Sequence, residues 1–268
     1  MTLSELNDTS KFPPTNLTMS LRSQDPAIEL SLGLHYKTYT SCGKQEEAED
    51  FIIHMRAEIV GETAYEADVL RKEILLGSIK FSLIRVGEAL NAEFGLDVLF
   101  DVSQEIFDLS AELYEGDYEE FKAPIRKAFP EASTWDDILY VESLELYPFA
   151  RGQRVGLSAL HRATRDWQSG CALVVLQPHP LQYPNGIRDE EKWVQLGMSD
   201  STPDFPTSKK KLENYYQQLG FQKAGRSKYL FRSPALAQRE IDLPSTILLS
   251  RETIEAQSNI LLLPTHGR

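Results

Sequence analysis

The segment from Asp137 to Leu176 constrains this chain more than any other, because it reads as strand, glycine turn, helix and strand without interruption. Asp137-Ile138-Leu139-Tyr140-Val141-Glu142-Ser143-Leu144-Glu145-Leu146 is an apolar strand carrying two carboxylates, ended by Pro148. Leu157, Leu160, Thr164 and Trp167 recur at helical spacing, and Gly170 is placed to end that helix. Cys171 to Leu176 is a continuous apolar run, the pattern of a strand buried in a parallel pair. Between the first strand and the helix lies Arg151-Gly152-Gln153-Arg154-Val155-Gly156. Backbone N–H groups that open a helix lack intrahelical partners and carry partial positive charge, so such a turn is a candidate pyrophosphate cradle. Arginine side chains on it add charge-assisted donors.

Around this unit the chain divides into an arm, a domain and a tail. Residues 1–27 are rich in Ser, Thr, Asn and Pro, the composition of a mobile arm. In the domain, 28–232, Phe51, Ile53, Met55, Ala57 and Ile59 alternate with His54, Arg56 and Glu58 as in a half-buried strand. Leu75, Gly77, Ile79, Phe81 and Leu83 make a second, and Gly61-Glu62-Thr63 reads as a turn letting the two pair antiparallel. A helix is expected from Asp101, with Gln104 in capping-box position and Val102, Ile106, Leu109 and Leu113 on one stripe. Another is expected over Tyr118 to Ala128, with an acidic collar of Glu112, Glu115, Asp117, Glu119 and Glu120 between them. Residues 182–207 read as a loop insertion, and Leu212, Tyr215, Tyr216 and Leu219 mark a helix closed by Gly220. Short strands are expected at Phe221 to Ala224 and Tyr229 to Arg232, and the extension 233–268 offers one more at Thr246 to Leu249.

Composition narrows the function classes. A net charge of -12 argues against a nucleic-acid surface, which needs a basic patch to displace counterions. Two cysteines, Cys42 and Cys171, lie far apart with no ligand spacing, so neither a disulfide framework nor a zinc site is expected, and a reducing cytoplasm is the expected compartment. No apolar run reaches membrane-spanning length, and the first residues lack an export pattern. Serine-hydrolase elbows, Walker loops and zinc-protease patterns are absent from the sequence.

Two separated motifs carry a family resemblance. Leu144-x-Leu146-x-Pro148-x-x-Arg151-Gly152-Gln153-Arg154-Val155-Gly156 resembles the acyl-CoA motif of the GNAT superfamily of acyl-CoA-dependent N-acyltransferases, and Asn214-Tyr215-Tyr216-Gln217-Gln218-Leu219-Gly220-Phe221 is similar to its later helix-to-strand motif. The strand order extends the likeness over residues 51–232. The resemblance implies an α/β fold with a mixed, mostly antiparallel central sheet, a splayed parallel strand pair and helices on both faces. It implies acetyl-CoA as acyl donor, no metal, and transfer of the acyl group to a primary amine by direct attack.

By the same resemblance, Leu144, Glu145 and Leu146 would pair with pantetheine as an added strand. The Leu146 N–H would stabilise the oxyanion. Arg151, Gly152, Gln153, Arg154, Val155 and Gly156 would hold the pyrophosphate, and Tyr216 would line the donor site and protonate the departing thiolate. Tyr216 also falls on the apolar stripe of its helix, where core packing alone explains it. A lysine-like amine has a pKa of about 10.4, so a base helps, and Glu142 and Glu145 are the candidates. In a regular strand they face opposite ways, so at most one faces the acceptor. Arg154 stands where the family has Gly, so its guanidinium either adds a phosphate contact or narrows the cradle.

Lys209-Lys210-Lys211 opens the later helix and could meet a cofactor phosphate, and His179 lies at the end of a core strand. The acidic collar suggests a cationic acceptor. A non-catalytic acyl-CoA-binding sensor or interaction module is the rival reading, and the sequence leaves the acceptor and the oligomeric state, homodimer included, open.

Overall fold

The computed structural model describes residues 27–39, 47–63, 73–118, 120–199, 202–236 and 242–261. Most of the expected arm, Cys42 and Glu119 of the collar lie outside them. The fold is a mixed α/β sandwich built on one seven-stranded sheet. Its strands are β1 (Ile28–Tyr39), β2 (Ile52–Thr63), β3 (Glu73–Ile84), β4 (Asp137–Leu146), β5 (Cys171–Leu176), β6 (Leu230–Arg232) and β7 (Thr246–Leu249). They lie in the order β6-β5-β4-β3-β2-β1-β7, with β4 and β5 parallel and every other pair antiparallel.

Each face of the sheet buries its own core. One is covered by α1 (Val86–Asn91), α2 (Leu96–Phe100), α3 (Gln104–Leu113) and α4 (Ala123–Ala128), whose Leu99, Phe100, Leu109 and Ile125 pack with Ile52, Ile84 and Ile138 of the strands. The other carries α5 (Val155–Trp167), Tyr216 of α7 (Phe205–Gln217) and Ile254 of α8 (Arg251–Leu261) over Ala57, Ile79, Leu139 and Val174. The remaining helix, α6 (Glu190–Gln195), lies in the connection from β5 to α7. Among the described residues no helix is long and apolar enough to cross a membrane.

The structure corrects several local expectations. Gly61-Glu62-Thr63 continues β2 rather than turning. The α3 cap is Ser103, whose hydroxyl accepts from the Ile106 N–H, so Gln104 opens the helix. The expected helix over 118–128 shrinks to α4, because Tyr118 adopts φ +58°, Tyr114 bridges Phe121 as a short antiparallel ladder, and Pro124 sits in the first helical turn. Residues 182–207 are not all loop. Asp189 and Asp204 each cap a helix by accepting the N–H three residues on, which starts α6 and α7. At the far edge β7 pairs with β1, so the C-terminal extension supplies the seventh strand.

Candidate functional site

β4 is two half-strands joined by a bulge. Val141 pairs with Phe81 and Ser143 with Lys80, which leaves Glu142 as an extra residue without a partner on β3. The parallel pairing with β5 stops at Val141 and Leu176, so Glu142 to Leu146 run on with β3 alone. The Tyr147 N–H donates to the Leu76 carbonyl of β3, so strand alternation turns the backbone groups of Leu146 and Leu144 to the opposite, open side. Gly77 lets β3 close up against this half, since a Cβ there would lie 2.1 Å from the Glu145 carbonyl oxygen.

The bulge changes the expectation for the two carboxylates. Leu139, Val141, Leu144 and Leu146 all pack against the α5-side core, so the side-chain phase shifts by one at Glu142. Glu142 and Glu145 therefore share the opposite face, and both line the cleft that opens beside β4. A regular strand would have separated them.

This cleft has a volume of about 640 Å³ and runs between β4, the end of β5 and the inner side of α7. At one end Glu105 of α3 joins Glu142 and Glu145. The Tyr140 hydroxyl donates to Glu105 at 2.7 Å, and burial together with this partner raises the Tyr140 pKa. Glu105 was unmarked in the sequence because an acid in a first helical turn is ordinary. The described residues of the acidic collar do not line the cleft. Glu115 accepts from the Ala123 N–H and Glu120 pairs with Arg126, so they build the α3–α4 connection.

At the other end the chain passes through Pro148–Ala150, a single 3-10 turn, into the glycine turn. Gly152 (φ +86°) and Arg154 (φ +60°) are both left-handed, and no acceptor takes the N–H groups of Gly152, Gln153 or Arg154 among the described residues. Successive free amides of this kind at a helix start form an anion-binding concavity. Arg151, Gly152, Arg154 and Val155 border the cleft, whereas Gln153 and Gly156 do not.

The side chains of the turn have structural partners. Arg151 donates twice to the Leu146 carbonyl, from Nε at 3.0 Å and Nη2 at 2.9 Å, tying the end of β4 to the turn. Burial lowers the Arg151 pKa. Gln153 grips Leu248 of β7 in both directions, donating to its carbonyl at 2.8 Å and accepting its N–H at 2.9 Å. The Arg154 guanidinium is held by the C-terminal segment and α7. Its Nη1 donates to the Asp242 carbonyl at 2.9 Å and its Nη2 reaches Gln218 Oε1 at 3.4 Å.

Gly156 is needed for packing. A Cβ there would stand 2.6 Å from the Tyr215 hydroxyl, 3.2 Å from Leu144 Cδ2 and 3.3 Å from Leu146 Cδ1. The Leu157 N–H donates to the Arg154 carbonyl at 3.0 Å, and burial of the Tyr215 hydroxyl pushes its pKa up to about 12 despite the lowering influence of that nearby backbone N–H and of the Arg154 charge. Tyr216 lines the cleft and is 8% exposed; its hydroxyl makes no hydrogen bond among the described residues, and burial raises its pKa. Lys209 to Lys211 lie in the second turn of α7, because the helix starts at Phe205, and Lys211 borders the cleft. His179 Nε2 lies 2.8 Å from the Tyr183 carbonyl, a structural role beside the cleft.

One further chain of contacts reaches Glu142. The Ser82 hydroxyl donates to Glu142 Oε1 at 2.5 Å, and His54 Nδ1 lies 2.8 Å from the same hydroxyl. Ser82 is fully buried, while the His54 side chain is 59% exposed. Elsewhere, His35, Glu62 and Glu73 bring potential metal-ligand atoms within 4.8 Å of one another, but they line no part of the cleft.

The curled mixed sheet with helices on both faces is compatible with the GNAT-like fold that the two motifs imply. Searches of family models, curated proteins and solved structures found no match to this chain.

Proposed function

We propose that this protein is an acyl-CoA-dependent N-acyltransferase, using acetyl-CoA or another short acyl donor on a primary amine whose surroundings carry positive charge. The observation that supports it most is the continuity between the unpaired half of β4 and the left-handed turn at the head of α5. An extended amide-bearing arm can add to Leu144 and Leu146 as a strand would, and a pyrophosphate attached to it then falls on the free amides from Gly152 onward.

In this reading each group has one task. The Leu146 N–H, directed away from β3, stabilises the oxyanion as the amine adds to the thioester carbonyl. Glu142 takes the proton of the amine, and Glu105 and Glu145 attract a cationic acceptor to the same end of the cleft. The C–S bond then breaks and the thiolate is protonated. The Tyr216 hydroxyl is protonated at neutral pH, as any phenol is, and burial raises its pKa further, which suits a hydrogen-bond donor to the departing sulfur.

Calorimetric titration of the folded protein with acetyl-CoA and with CoA tests the binding half, and release of free thiol across a panel of polyamines, aminoglycosides and lysine peptides tests turnover. No affinity at millimolar concentration refutes the proposal. Binding without turnover on any amine leaves a non-catalytic acyl-CoA-binding module, a reading favoured by the engagement of Gln153 and Arg154 with the C-terminal segment.

A further inference from the structure

A base that takes a proton in a partly closed cleft must pass it on before the next turnover. Glu142 stands at the bulge with its side chain only 25% exposed, and its Oε1 is held by Ser82 at 2.5 Å. Ser82 is sealed from solvent, which removes it as a nucleophile or substrate contact, yet its hydroxyl lies between Glu142 and an exposed imidazole 2.8 Å away. His54 and Ser82 are register partners on β2 and β3, and on β4 the unpaired Glu142 lies two residues beyond Tyr140, the register partner of Ser82, with its carboxylate reaching back to the hydroxyl. Direct contact of His54 with Glu142 is longer, 3.7 Å, so the hydroxyl is the shorter route.

Resting on the acyltransferase reading, we propose that Ser82 and His54 form the proton exit from Glu142 to solvent. The acceptor ammonium gives its proton to the Glu142 carboxylate, freeing the nitrogen lone pair for attack. Glu142 then passes a proton from Oε1 to Ser82 Oγ as Ser82 passes its own to the His54 Nδ1 lone pair, and His54 releases one from Nε2 to water. One proton moves from the amine to bulk solvent, and the serine hydroxyl ends with the proton count it began with. Tautomer exchange of the exposed imidazole with water restores the starting direction of the chain. Ser82 and His54 act through Glu142 and touch no substrate. The other charged groups on this sheet face near His54 are Arg56 on β2, Lys80 paired with it on β3, Lys37 paired with it on β1, and Glu58 on β2, which holds Lys37 at 2.6 Å.

The test compares full-length wild type with S82A, H54Q, the double variant and H54A. In steady-state acylation of one amine, S82A and H54Q each lower kcat about tenfold with CoA affinity unchanged, and the double variant is no worse than either. The proton inventory in mixed H2O and D2O is curved for wild type and linear for S82A. Added imidazole restores H54A and leaves S82A unrestored. Unchanged kcat in both single variants, or penalties that multiply in the double variant, overturns the relay. A second measurement needs no turnover: the NMR titration midpoint of His54 moves in E142Q, and S82A reduces that dependence on residue 142. An unmoved midpoint overturns the relay while leaving acyl transfer standing, whereas turnover on no amine overturns the acyltransferase reading and the relay with it. H54Q, at an exposed position, keeps the comparison valid if S82A is poorly folded.

Discussion

Replacing Gly156 by alanine tests the junction between α5, α7 and β4 directly. The added methyl would meet the Tyr215 hydroxyl at 2.6 Å and two leucine methyls of β4 at 3.2 and 3.3 Å, while neither the helix start nor β4 is free to retreat. Tyr215 must swing away from the new methyl, and the overpacking costs about 1–3 kcal/mol. Alanine returns up to about 1 kcal/mol through its higher helix propensity. The net is a destabilisation of about 1–2 kcal/mol, read as a Tm lower by about 2–8 °C in a chain of this size. Thermal and urea melts of G156A, Y215F and the double variant separate the terms. Because phenylalanine lacks the oxygen that the new methyl strikes, G156A should cost clearly less in the Y215F background. Melts in which G156A matches or exceeds wild type, or in which the two penalties simply add, would refute this account of the packing.

Three further outcomes follow from the same geometry. Arg154 pairs left-handed backbone with two side-chain hydrogen bonds, so R154A should be less stable than R154G by about 1 kcal/mol in denaturant melts, since alanine keeps the backbone strain and glycine relieves it. E142Q should lower kcat/KM for a high-pKa amine by about 10²-fold while leaving the CoA dissociation constant unchanged by calorimetry. Tyr215 has a folded pKa raised from 10.0 to about 12, so its contribution to stability is full below pH 10 and is lost as pH rises towards 12. Melts across that window should fall less steeply in Y215F than in wild type.

The β4-turn-α5-β5 unit was legible because its pattern is local: alternating or continuous apolar runs, a glycine at each turn and one amphipathic helix. The alternation of Ile28, Leu30, Leu32, Leu34 and Tyr36 is an equally local signal for β1, though it lies outside both motifs. Helices α1 and α2, of six and five residues, are too short to show a period. The bulge at Glu142 leaves no local mark, since it arises from where β3 resumes pairing, and without it the shared face of Glu142 and Glu145 cannot be derived. Partners such as Ser82 and His54, or Leu248 for Gln153, are likewise set by registers between distant strands.

Most sheets keep their unpaired edges at the outside and must guard them there against other chains. This one also has an edge within. Down to Val141, β4 is an interior strand, and beyond it the same strand is a border facing a gap that β5 leaves open. The gap is roofed by α7, and the last exposed carbonyl, Leu146, is already taken by Arg151. A neighbouring molecule's strand would have to enter between β4 and α7 to reach this border, so it is sheltered by the elements around it rather than by charge.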